Sequence, residues 1–347
     1  MRIGIMGAGS LGTIIGAFIS KGGHDVDLID IFKEHVEALN ERGAILTGTV
    51  NETIPVKAIT PSEMTGTYDL VLLLTKQIFN EEVVTNLKNY LHNKSVVLSL
   101  QNGVPEEQLV TILGEQRVIG GSVEFGATFK EPGISELTTT KEAFQSNAFQ
   151  IGELDGSITD RIQQIKEILD LVGGTFVTDN LIGTKWSKLL VNVALSGMSA
   201  ALGCSFGEVT NNEVGVHSAV SLADETIRVG EAAGVTFALL SGFDLKILKL
   251  NEDKSNFPTA IGFARKAFAP QALLRASMLQ DLEKQRKTEI DYINGFVAAK
   301  GKELGVATPY NDLVVALVNK AENEKTVPTF EENIKSFANK VGVLQKS

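Results

Sequence analysis

Two groups of residues in this 347-residue chain have types and spacings that chemistry can use. The first is Gly7-Ala8-Gly9-Ser10-Leu11-Gly12, a G-x-G-x-x-G pattern placed after an apolar run and at the head of a helical one. Gly7 permits a tight turn, Gly9 lets a pyrophosphate approach the backbone, and Gly12 lets the helix pack close to the strand. The helix start adds unpaired N–H groups and the positive end of its dipole. An ordinary Gly-rich βα turn is the competing reading; the strand before and the helix after are what separate the two. Asp30, 18 residues beyond Gly12, ends the next strand-like run. A carboxylate there accepts hydrogen bonds from ribose hydroxyls and repels a 2′-phosphate, which favours NAD(H). Lys33 offsets part of that repulsion and leaves room for NADP(H).

The second group suits proton transfer and polar recognition. Lys188, Asn192 and Ser196 are spaced i, i+4, i+8 and share one helical face, flanked by Leu189, Leu190, Val191, Val193 and Leu195. A lysine in such company is costly unless it is paired or lines a cleft. Lining a cleft, it can donate a proton to a carbonyl oxygen that becomes an alkoxide as hydride arrives; the alternative is a snorkelling surface lysine. Lys76-Gln77 and Gln101-Asn102-Gly103 each follow an apolar strand directly, so they face the crevice at the carboxyl ends of a parallel sheet. The plainer reading makes them a solvated lysine and a turn asparagine. Toward the C-terminus, Ser277–Leu282 and Lys287–Gly295 set polar residues within amphipathic helix and suggest a buried polar network, without naming its ligand.

The elements that must hold these residues alternate through the first half. Strand-like runs at 1–6, 24–30, 69–75, 95–99 and 117–121 alternate with helical runs at 10–21, 32–42, 77–90 and 104–113. The 69–75 run DLVLLLT is almost uninterrupted apolar sequence, as a parallel strand covered on both faces requires. The pattern predicts an α/β fold with a doubly wound parallel sheet. Residues 122–152 read as extended structure with turns at Pro132-Gly133 and near Ser146-Asn147; a helix near 157–171 and a strand near 174–178 close the domain. From Asn180 the periodicity is helical throughout, so we expect a dinucleotide-binding domain over 1–179 and an all-helical C-terminal domain over 180–347. The polar stretch from about Lys320 reads as a loosely packed helix.

Composition narrows the function. The 42 acidic against 32 basic side chains give a net charge of −10, which disfavours nucleic acid; a small anionic substrate needs only a few local cations. A single cysteine, Cys204, excludes an internal disulfide and a cysteine-based zinc site, and its apolar surroundings predict a buried thiol. The four histidines have no metal-ligand spacing, so no metal is expected. Glycines interrupt the apolar N-terminus and no signal-type cleavage site follows. The apolar stretch 189–206 carries Asn192 and several Ser and Gly, so it reads as buried helix rather than membrane span. A soluble, cytoplasmic protein is expected.

Taken together, the Gly7–Gly12 loop, Thr75-Lys76, Gln101-Asn102-Gly103, the Lys185–Asn192 block, Ser277–Asp281 and Thr288–Gly295 resemble the ketopantoate reductase (2-dehydropantoate 2-reductase) family over nearly the whole chain. The resemblance implies a Rossmann-type N-terminal domain followed by a helical substrate-binding and dimerisation domain. It implies an NAD(P)H-dependent reductase of small 2-keto acids, with ketopantoate as lead substrate. By position, Lys188 is similar to the catalytic general acid and Glu289 to the glutamate beside it and the substrate. Ser277 matches a serine that binds the substrate carboxylate, Asn192 and Asn102 match asparagines near substrate and nicotinamide, and Lys76 matches a lysine reaching toward the cofactor. The chain departs from the family in three places. Ser196 and Leu274 stand where asparagines are frequent, and Asp30-Ile31-Phe32 replaces a segment that carries an arginine in NADPH users. Asp30 and Leu274 favour an alternative, an NAD-dependent D-2-hydroxyacid dehydrogenase for branched or aromatic 2-keto acids. A non-catalytic dinucleotide sensor is a third reading, which Lys188 and Glu289 argue against. A homodimer is expected.

Overall fold

A computed structural model describes residues 1–240 and 242–341. The chain divides into two compact units, Met1–Leu181 and Ile182–Ser347. In the first, β1 (Arg2–Met6), α1 (Ser10–Lys21), β2 (Asp25–Ile29) and α2 (Lys33–Arg42) lead to three short strands, β3 (Ala44–Gly48), β4 (Glu52–Ile54) and β5 (Lys57–Ile59). Then come β6 (Tyr68–Leu73), α3 (Asn80–Leu87), β7 (Leu91–Ser99), α4 (Glu106–Leu113) and β8 (Val118–Val123). The unit ends with β9 (Ala127–Glu131), β10 (Ile134–Leu137), α5 (Lys141–Ser146), β11 (Phe149–Gly152), α6 (Asp160–Leu169) and β12 (Thr175–Val177).

Eight of these strands form one sheet in the order β12-β11-β8-β7-β6-β1-β2-β5. The order reverses about β1 and β6, which puts the Gly7 turn and the 74–77 loop side by side at a topological switch point. Apolar residues cover both faces of β6, where Leu70, Val71, Leu72 and Leu73 are all buried, as the DLVLLLT run requires. The sheet is mixed rather than wholly parallel, because β11 runs antiparallel to β8. A second, four-stranded sheet, β4-β3-β10-β9, was not anticipated for residues 43–54. Its strands are too short for alternation to show, and long-range pairing between β3 and β10 specifies them. The expected extended stretch 122–152 is also interrupted by α5, capped by Thr140.

The second unit is helical. It takes in most of α7 (Leu181–Val191), a π-helical segment (Asn192–Gly197), α8 (Met198–Leu202), α9 (Phe206–Asn211) and the long α10 (Glu213–Ala232). It continues with α11 (Phe257–Phe268), α12 (Ser277–Glu283), α13 (Asn294–Leu304), α14 (Pro309–Glu324) and α15 (Phe330–Val341). Helix α10 is buried on most sides because α9, α11, α13, α14, α15 and the π segment all pack on it. The tail is better packed than its composition suggests. Phe337 is fully buried and the Asn333 side-chain amide donates to the Ala201 carbonyl at 2.7 Å. Among the described residues, no helix is long and apolar enough to cross a membrane.

Candidate active site

The glycine loop has the geometry its sequence implies. Gly7 adopts φ +97°, where a side chain is strained, and a Cβ there would sit 2.9 Å from the Thr75 amide nitrogen. A Cβ at Gly12 would lie 2.1 Å from the Gly7 carbonyl oxygen, so the helix packs on the turn only without one. At Gly9 a Cβ would meet nothing within 4 Å: the loop opens outward there, and no side chain caps α1. Gly7, Gly9, Ser10, Leu11 and Gly12 line a cleft of about 410 Å³, with Asp30, Ile31 and Pro61 on one side and Thr75, Lys76 and Phe79 on the other. Ala8 turns inward. It is fully buried, and its carbonyl accepts from the Thr13 hydroxyl at 2.7 Å and from His35.

His35 was not anticipated as a site residue. It is buried, with Nδ1 accepting from the Gly133 N–H at 2.9 Å and Nε2 2.7 Å from the Ala8 carbonyl. Acceptance at Nδ1 places the proton on Nε2, and burial pulls its pKa below the ordinary range, so the ring is neutral. It fastens the phosphate loop to the β9–β10 turn. Its partners lie 27 and 98 residues away, which is why spacing did not expose it.

Asp30 is half-buried and its Oδ1 accepts from the Phe32 N–H at 3.0 Å, which orients the carboxylate at the cleft margin. Ile31, beside it, is 80% exposed. Lys76 is half-buried and lines the cleft, whereas Asn102 is exposed and is absent from its lining. The Asn102 carbonyl nevertheless accepts from Gln77 Nε2 at 2.5 Å, which ties the loops after β6 and β7 together. A dinucleotide fits these features. The uncapped helix start and open Gly9 suit a pyrophosphate, the apolar walls suit a flat base, and Thr75 Oγ1 is a buried hydroxyl with no protein partner.

In the helical unit, every residue from Gly183 to Ala200 is buried except three: Lys188, Asn192 and Ser196. The helix around them is held tightly. Trp186 packs edge-on against Phe237 and Phe296, and the Ser187 hydroxyl donates to the Ala238 carbonyl at 2.7 Å. From Asn192 to Gly197 the winding is π. A π turn advances less per residue than an α turn, so Ser196 stays closer to the line of Lys188 and Asn192 than ideal α geometry allows. Asn294 props this segment. Fully buried, its Nδ2 donates to the Val193 carbonyl at 3.3 Å and to Asn311 Oδ1 at 3.1 Å, while its own Oδ1 has no partner. Asn311 in turn donates twice to Glu225, whose carboxyl burial pushes up to about 7.

Ser277 is exposed at the first position of α12, which packs on the π segment; the preceding Ala276 N–H donates to Ser199 Oγ at 3.1 Å. Glu289 is half-buried, and its carbonyl accepts from the Tyr292 and Ile293 amides, which fixes the turn leading to Asn294. The Ser277 segment is thus anchored on α8 and the π segment, and the Glu289 turn leads to Asn294, which bonds to that same π segment C-terminal to Lys188. Cys204 is buried with its thiol pushed up to about 12, which removes it as a nucleophile. Among the described residues no cluster of His, Cys, Asp and Glu could hold a metal.

The family model for ketopantoate reductase PanE/ApbA matches residues 3–154, and the model for its C-terminal domain matches residues 180–322. The chain belongs to the ketopantoate reductase family. Among its relatives in this family is the 2-dehydropantoate 2-reductase of Pyrococcus horikoshii, 32% identical over 93% of this chain and 98% of that one. Among solved structures, a D-mandelate dehydrogenase with NADH and anilino(oxo)acetate superposes with a TM-score of 0.79 at 26% identity, covering 94% of this chain and 99% of that one. A family member from Ralstonia eutropha JMP134 gives 0.78 at 26% identity over 94% and 99%. As a ketopantoate reductase family member, the chain is a pyridine-nucleotide oxidoreductase acting at a CH–OH/ketone centre, with a Rossmann-like first unit and a helical second one.

Proposed function

We propose that this protein reduces the ketone of a small 2-keto acid, with ketopantoate as lead substrate and NADH as the preferred dinucleotide. The supporting observation is the stripe of Lys188, Asn192 and Ser196, the only accessible side chains between Gly183 and Ala200. Gly7, Gly9, Ser10, Leu11, Gly12, Asp30 and Lys76 would hold the dinucleotide, which supplies a hydride to the keto carbon. The Lys188 ammonium donates its proton to the ketone oxygen as negative charge develops there, so that charge never builds up unbalanced. Glu289 keeps that lysine protonated for the next cycle. Ser277 donates to the substrate carboxylate, and Asn102 and Asn192 orient the keto group. The product is the 2-hydroxy acid; the lysine recovers its proton from Glu289 or water.

One observation favours a second reading. Leu274 is 53% exposed just before α12, an apolar side chain near the proposed carboxylate anchor, and D-mandelate dehydrogenase is a structural relative. On that reading the substrate side chain is branched or aromatic and apolar. Following nicotinamide absorbance with ketopantoate, 2-oxoisovalerate and phenylglyoxylate, each with NADH and NADPH, decides. Higher kcat/KM for ketopantoate supports the lead, higher kcat/KM for phenylglyoxylate supports the second, and no turnover with any of the three refutes both. The same reading carries the expectation of a cytoplasmic homodimer, to be checked by cell fractionation and light scattering.

A further inference from the structure

The loops after β6 and β7 are joined by buried amide side chains that no proposed catalytic step uses. Asn80 is fully buried at the head of α3, and Gln77 and Gln101 are buried on the two loops. Asn80 Oδ1 accepts from Gln101 Nε2 at 2.7 Å, and Asn80 Nδ2 donates to Gln101 Oε1 at 3.4 Å and to Gln108 Oε1 at 3.1 Å. The same Gln101 Nε2 donates to the Thr75 carbonyl at 2.6 Å, immediately before Lys76. In the other direction Gln77 Nε2 donates to the Asn102 carbonyl at 2.5 Å. Each loop therefore grips the other's backbone, once beside Lys76 and once at Asn102.

We propose that the Asn80–Gln101 pair is a positioning device that sets Lys76 and Asn102 together; this rests on the reading of those two residues as cofactor- and substrate-facing groups. The atom that the test removes is Asn80 Oδ1. By accepting from Gln101 Nε2 it holds that amide with its N–H groups toward the Thr75 carbonyl. Without it the Gln101 amide loses one of the bonds that fix its orientation, while the Ser99 hydroxyl still donates to Gln101 Oε1 at 3.3 Å; any rotation of the amide brings its oxygen against the Thr75 oxygen, two acceptors with no proton between them. Lys76 and Asn102 then lose one of the two amide links between their loops, the Gln77–Asn102 bond remaining.

The test is a pair of variants, Asn80→Ala and Gln101→Met, each made in the wild-type chain and in a Lys76→Ala/Asn102→Ala background. Three quantities are read: kcat/KM for the best keto acid, the Kd for NADH by fluorescence, and amide hydrogen exchange over 74–77 and 100–103 in the dinucleotide-free protein. Misplacing a reacting group by about 1 Å can cost on the order of 100-fold, so we expect a roughly 10- to 100-fold loss of kcat/KM in the wild-type chain. In the double-alanine background the further loss should shrink to within about 2-fold, because the groups being positioned are gone. Exchange in both loops should accelerate in either chain. Equal losses in both backgrounds, or unchanged exchange with unchanged kcat/KM, overturn the proposal. If Lys76→Ala/Asn102→Ala itself costs nothing, the reading of those residues as site groups fails; faster exchange in both loops then still supports the lock, and unchanged exchange overturns it.

Discussion

On the proposed reading, dinucleotide choice is the property that the Asp30 carboxylate should most directly control. Asp30 is tied by Oδ1 to the Phe32 N–H and stands at the margin of the cleft beside Ile31, a residue with no charge to offer a phosphate. Glu82 lines the same cleft and adds a second carboxylate. A 2′-phosphate placed about 4 Å from Asp30 meets a repulsion of ~1 kcal/mol in fully aqueous surroundings and ~4 kcal/mol at the effective dielectric of a protein margin. At about 1.4 kcal/mol per decade, NADH should be favoured by roughly 5- to 1,000-fold in kcat/KM. Asp30→Asn keeps the acceptor for Phe32 and the side-chain volume while removing the charge, so it should close most of that gap. Adding Ile31→Arg supplies a phosphate partner and should tip the ratio toward NADPH. Glu82→Gln should act in the same direction with a smaller change. The assay is kcat/KM for both dinucleotides at one saturating keto-acid concentration, repeated at high salt, where screening should narrow the wild-type preference. A wild-type protein that prefers NADPH, or an Asp30→Asn variant with an unchanged ratio, refutes the reasoning; Lys33 would then outweigh the carboxylate.

Three further outcomes follow from the helical unit. Lys188→Ala should lower kcat by at least about 100-fold with the NADH Kd unchanged, since the proton is needed mainly in the transition state; Glu289→Ala should be impaired more than Asp281→Ala, and a Lys188→Ala enzyme retaining half its kcat sinks the assignment. Gly197→Ala would place a Cβ 2.4 Å from Asn294 Oδ1, so it should cost about 1–3 kcal/mol in chemical denaturation and raise the keto-acid KM by displacing the π segment. Glu225 is raised from 4.5 to about 7 in the folded protein, so the native state holds the extra proton and stability is lost as pH rises between those values, by about 3 kcal/mol at most. Glu225→Gln should flatten that slope; a variant with the wild-type pH dependence of unfolding would assign it elsewhere.

The alternation of strand and helix was legible because each long element carries its own period. β1, α1, β2, α2, β6 and β8 lie within about two residues of where apolar spacing puts them. The small sheet was not legible, because strands of three to five residues are stabilised by partners far along the chain. Buried polar residues behaved in the same way. Nothing near His35, Asn80 or Asn294 in sequence announces its role; their hydrogen bonds span up to about a hundred residues, and only the fold brings donor and acceptor together. The π winding at Asn192–Gly197 was hidden as well, and the Asn294 amide that reaches the Val193 carbonyl within it comes from 101 residues along the chain.

That last contact explains why a spacing argument built on ideal α geometry still found a coherent face. In a regular helix Lys188, Asn192 and Ser196 drift around the axis, and over two turns the outer pair would begin to point apart. The π segment takes up that drift and leaves all three as the accessible residues of an otherwise buried stretch. Asn294 donates to a carbonyl of this segment, a bond that an apolar side chain could not make. Asn294 is in turn aligned by Asn311, and Asn311 by the Glu225 carboxyl that also receives the Tyr310 amide at the start of α14. The polar face therefore depends on a chain of buried amides ending in one titratable group. A residue remote from the reacting atoms can in this way govern how well they are aligned, which is why Gly197 and Glu225 are the informative places to perturb.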